Sequence, residues 1–147
     1  MTSTMTQMRT ERVDLGRLWW VGLLAIIASS IANTIVRVIA VALLQPPPEF
    51  APLSWIQPII FTVVGVLGGI IVFAIFARVS HRPITIFRIT ALVVMLVSLV
   101  PDFLLLVPDP PPFPGITVGT ITALSIMHVV AWAITVPLLT TLTRIRD

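Results

Sequence analysis

Four residues stand out because each interrupts an apolar run with a group capable of charge or strong hydrogen bonding: Asn33, Arg37, Asp102 and His128. Residues 87–107 read FRITALVVMLVSLVPDFLLLV. Stopped at Val100, before Pro101, this run has 14 residues; carried to Leu106 it has 20. Only the longer version meets the roughly 20 residues needed to cross a hydrocarbon core of about 30 Å. Asp102 therefore belongs inside a span or close to its end, where a charge is costly and marks either a function or a buried pair. Arg37 is the lone formal charge of its own run, 18–44, and His128 is the lone titratable group of 116–143.

The chemistry open to such a set is ion pairing and proton exchange. At 1.5 Å per residue, Asn33 lies about 24 Å beyond Arg17, Asp102 about 21 Å beyond Arg88, and His128 about 24 Å from Arg144. Arg37 is one turn further out. Opposite charges at similar depth are expected to pair, Arg37 with Asp102, while Asn33 and His128 satisfy the remaining valences. Such a cluster serves one of two ends: it fixes helix register, or it forms an ionisable site that exchanges a proton or binds an ion. Ser98 and Ser125 lie near Asp102 and His128 along the chain, so a serine–histidine–aspartate arrangement can be written, but nothing marks either serine as a nucleophile. No glycine-rich phosphate loop, H-E-x-x-H motif or paired carboxylates occur. No catalytic residue, metal site or cofactor is expected.

The elements that must position these residues follow from composition. Of the 147 residues, 57% are hydrophobic and 10% charged, with mean hydropathy +1.08. Soluble domains carry about 25% charged residues, so lipid must be part of this chain's solvent. Four apolar runs, at about 18–44, 56–77, 84–106 and 116–143, predict one all-α transmembrane domain over 18–147, a four-helix bundle, behind a polar, disordered tail at 1–17. The first run is 27 residues long, against about 7–15 for a signal-peptide core, and is expected to remain as a helix. The absence of cysteine excludes disulfides and thiolate chemistry.

Within these runs, Ser29, Asn33 and Arg37 recur every four residues and share a helix face. That stripe either turns toward partner helices or ends with Arg37 snorkelling to the far headgroups. Thr122, Ser125, His128, Trp132 and Thr135 form a second stripe on the last helix. Gly65 and Gly69 form G-x-x-x-G with Gly68 beside them, a pattern that lets helix backbones approach; packing within the bundle and a dimer face are the two uses. Pro101 should kink the third helix. Residues 45–54 (QPPPEFAPLS) form a stiff connection suited to water or the interface, and Trp19, Trp20 and Trp55 are placed as interfacial anchors. His81 reads as a solvated loop residue.

Every cation is arginine, and the net charge is +3. Eight of the nine arginines lie in the N-terminal tail, the 78–88 turn and the C-terminus, while the two proline-rich connections hold none. This asymmetry orients both termini to the cytoplasm. It also explains the high isoelectric point without nucleic acid. The stretches RLWW at 17–20, FTVVGVLGG at 61–69, FR at 87–88, SLVPD at 98–102 and MHVVA at 127–131 touch all four runs. Together they resemble a family of small four-helix bacterial membrane proteins of unknown function, frequent in actinobacteria and Chloroflexi. The resemblance implies a multi-pass protein of the bacterial cytoplasmic membrane and brings no activity or cofactor. The function expected is structural: an accessory subunit contacting lipid and membrane-protein partners or further copies of itself. The alternative is a small proton- or ion-coupled transporter using Arg37, Asp102 and His128.

Overall fold

The computed structural model describes residues 11–112 and 114–145. It contains four long helices, α1 (Leu18–Leu44), α2 (Gln57–Val79), α3 (Pro83–Leu104) and α4 (Val118–Leu142), and no strand among the described residues. Each helix is long and apolar enough to cross a membrane. Their boundaries follow local chemistry. Pro58 and Pro83 sit in the first turns of α2 and α3, where a missing N–H costs nothing. Thr117 begins α4 with a reciprocal capping box to Thr120. Helix α3 runs through Pro101 and ends at Leu104, where the next three amides tighten into i→i−3 bonds. Relative to the apolar runs, α3 starts one residue earlier and ends two earlier, and α4 is trimmed by two residues at its start and one at its end.

Consecutive helices are antiparallel. Gly22 meets Ile70 and Asn33 meets Thr62 between α1 and α2. Phe73 and Phe87 join α2 to α3 with ring centroids 4.8 Å apart. Arg88 meets Thr140 and Asp102 meets His128 between α3 and α4. Helix α4 also packs along α1, closing a ring in which α1 and α3 stand diagonally with little contact. Both described ends lie at one end of the bundle, the termini end, where Val13 bridges Arg144. The proline-rich connections lie at the other, the proline end.

The interior has two apolar clusters. At the termini end, Leu18, Val21, Phe73, Ile84, Phe87, Val136 and Leu139 pack together, drawing on all four helices. At the proline end, Ala40, Ala123 and Met127 are joined by Phe50 and Leu53 from the connection itself. Only 2% of Phe50 remains exposed. Gly115 supplies the room, since a Cβ there would stand 2.8 Å from that of Phe50 and its φ is +90°. The connection expected in water or the interface therefore also inserts two side chains into the bundle. Helix α3 contributes Ile84 and Phe87 to the first cluster and nothing to the second.

The polar tail expected to be disordered is held where it is described. The Glu11 amide donates to the His81 carbonyl, the Asp14 amide to the Thr143 carbonyl, and the Ile145 amide to the Arg12 carbonyl. Residues 1–10 of that tail lie outside the described residues.

Candidate functional site

Asp102 sits in the last turn of α3, two residues from its end, and His128 near the middle of α4. His128 Nδ1 stands 3.4 Å from Asp102 Oδ2 and 3.0 Å from the Leu124 carbonyl of its own helix. A carbonyl only accepts, so a proton on Nδ1 is aimed at Leu124, four residues back. The carboxylate oxygen is buried and receives no hydrogen bond from the described residues. The contact is thus electrostatic, an acid and a base touching without a shared proton. The Asp102 side chain is 15% exposed and that of His128 40%. The pair lies at a flank of the bundle, with the imidazole as its outward face.

Arg37 does not join it. Its Nε donates to the carbonyls of Leu53 and Ser54, at 2.9 and 3.2 Å, and its guanidinium lies 3.6 Å over the Trp55 ring. The expected Arg37–Asp102 pair is absent because the residues ride on diagonal helices. Depth along the chain says how far a residue is from an end, but not which neighbour its helix faces. Arg37 instead snorkels to the proline end and braces the turn Ala51–Leu53, whose carbonyls need a donor.

Asn33 and Ser29 take the other reading of their stripe and face partner helices. Asn33 Nδ2 donates to Thr62 Oγ1 at 2.9 Å, and Ser29 Oγ lies 3.2 Å from Thr135 Oγ1. They form a polar layer between the two apolar clusters, separate from the Asp102–His128 pair. One acceptor of the layer, Asn33 Oδ1, has no partner among the described residues. Thr62 and Thr135 are the members that sequence reasoning did not pick out as partners. A threonine on a helix ordinarily bonds its own carbonyl four residues back, as Thr62 also does to Pro58, so its second role leaves no signature.

Gly65, Gly68 and Gly69 meet nothing within 4 Å of an added Cβ. Their use in packing the bundle is corrected: they face outward. The close approaches are elsewhere, Gly22 against Ile70 and Gly119 against Leu44. Arg88 donates from Nε and Nη2 to Thr140 Oγ1. No group of three or more histidine, cysteine or acidic residues able to hold a metal occurs among the described residues.

Four apolar helices around a polar layer, with an acid–base pair at one flank, make this a small bundle suited to a membrane. The chain belongs to a family of unknown function, DUF6069, whose model matches residues 13–144. No curated protein and no solved structure matches it.

Proposed function

We propose that this is a multi-pass protein of a bacterial cytoplasmic membrane, with both ends cytoplasmic, that serves as a binding subunit rather than a catalyst. It docks a transmembrane helix of a partner membrane protein against α3. The observation that carries this is the packing of α3 beyond Phe87. No residue from Arg88 to Leu104 is buried, whereas α1, α2 and α4 bury residues along most of their length. Val93, Val97, Val100 and Leu104 are each more than half exposed, and the polar Asp102–His128 pair sits at the end of that stretch. In lipid, apolar exposure alone drives no association, and polar contacts supply the selectivity.

The test is copurification in mild detergent. Val97→Trp should release a stoichiometric partner while leaving the bundle's own thermal unfolding unchanged. A tagged protein that elutes without any such partner, or a partner indifferent to the tryptophan, sinks the reading.

A second reading is favoured by one specific fact. Among the described residues the only charged or titratable group paired with Asp102 is itself titratable. Two titratable groups in contact can each take up and release a proton, which is what proton exchange requires. Proton flux into liposomes that is abolished by Asp102→Asn would favour this reading; equal flux for both proteins would remove it.

A further inference from the structure

We infer that the α2–α3 turn is a binding site for an anionic phospholipid. The turn holds an open cleft of about 490 Å³ lined by Phe76, Val79, Ser80, His81, Arg82 and Ile86. Its chemistry is divided. Phe76, Val79 and Ile86 form an apolar floor at the ends of two spans, with Val79 75% exposed. Ser80, His81 and Arg82 form a polar rim, and Arg78 lies two residues before it in the last turn of α2.

The arginines of this chain divide in the same way. Arg17 pairs with Asp14, Arg37 with two carbonyls and Trp55, and Arg88 with Thr140. Arg12, Arg78 and Arg82 have no side-chain partner among the described residues, and of these Arg82 lines the cleft while Arg78 stands four residues before it in sequence. An unpaired guanidinium on the rim of an apolar cleft, with a second on the adjoining last turn of α2, complements a molecule with an anionic head and an apolar tail. A soluble anion leaves the floor uncovered, and a neutral lipid leaves the rim uncovered. Basic pockets between transmembrane helices take phospholipid head groups for this reason.

The turn is also built to hold still. The Ser80 amide donates to the Phe76 carbonyl, the Arg82 amide to Ser80 Oγ, and the Glu11 amide to the His81 carbonyl. The α3 amides of Ile84 and Thr85 are already occupied by Glu11. The phosphate therefore belongs on the arginine of the rim and not on the helix N-terminus.

The test uses the full chain in mild detergent, with dioleoyl phosphatidylglycerol and dioleoyl phosphatidylcholine as probes matched in their tails. Native mass spectrometry should show phosphatidylglycerol retained preferentially. Arg82→Gln should reduce that preference by about fivefold, the factor that one arginine near an anionic lipid supplies. Arg17→Gln removes the same charge from the same end and should leave the preference intact. Val79→Asn, at an exposed position, should weaken retention of both lipids, and it keeps the site testable if Arg82→Gln does not fold. Equal retention of the two lipids overturns the inference, as does a preference that Arg82→Gln and Arg17→Gln lower alike. Millimolar inorganic phosphate that displaces the lipid completely overturns it too, in favour of a free-anion site.

Discussion

A carboxylate oxygen that accepts no hydrogen bond is seldom kept in an apolar helix, because satisfying it is ordinarily worth more than leaving it bare. Asp102 therefore depends on His128 for whatever stabilises its charge, and Arg37 is not in reach to help. Two mutant cycles separate these statements. Arg37→Leu and Asp102→Leu should add within about 0.5 kcal/mol in detergent thermal unfolding, as residues without a shared partner do. Asp102→Leu and His128→Leu should couple by about 0.5–1 kcal/mol, the modest range expected of a partly exposed pair. The two single losses then sum to more than the loss of the double variant. Additivity in the second cycle, or coupling in the first, would reverse the assignment of partners. The four polar residues were recognisable in the sequence because apolar surroundings make them conspicuous. Which of them meet was not, since pairing depends on the rotation of each helix about its axis and on which helices are neighbours in the ring.

At the scale of the element, α3 owes its start to a residue 70-odd positions away. Glu11 Oε2 accepts from the amides of Ile84 and Thr85 at 2.8 and 3.0 Å, and Oε1 accepts from the Thr85 hydroxyl at 2.6 Å. Partial burial pushes the Glu11 carboxyl up. The Thr85 and Ile84 bonds, with the Arg144 charge nearby, outweigh it and leave the group below the ordinary glutamate range. A carboxyl lowered on folding stabilises above its unfolded pKa, and that stabilisation is lost as pH falls through the folded value. Glu11→Gln should therefore cost about 1 kcal/mol at pH 7, the usual worth of a helix cap. The gap between variant and parent should close as pH drops below about 4, beneath the pKa of a free glutamate. A constant gap from pH 7 to pH 3 would show that the charge plays no part. The helices themselves were legible to within two residues, because hydropathy and proline placement decide them locally. The segment 11–14 was not, because its polar residues resemble any solvated tail until the helix ends they serve are in place. Phe50 and Leu53 did leave a signal, as two large apolar residues inside a proline-rich connection.

The whole molecule is an antiparallel ring of four, which puts the described ends together and the two proline-rich connections together. Reporter fusions after Asp147 and within residues 45–54 should therefore give opposite answers, cytoplasmic for the first and exterior for the second, following the arginine asymmetry. Matching answers from the two sites would mean that an even number of α2, α3 and α4 crosses the bilayer. The same closure dictates an order of events during synthesis. Segment 11–14 is made before any of the helices, yet Glu11 bonds at residues 81, 84 and 85 and Asp14 at residue 143. While the ribosome is still adding α4, the first amides of α3 can be capped, but the Asp14 bond and the Val13–Arg144 bridge cannot exist. The earliest-made piece of the described chain is thus among the last to settle, and the bundle stays untied at that end until residues 143–145 arrive.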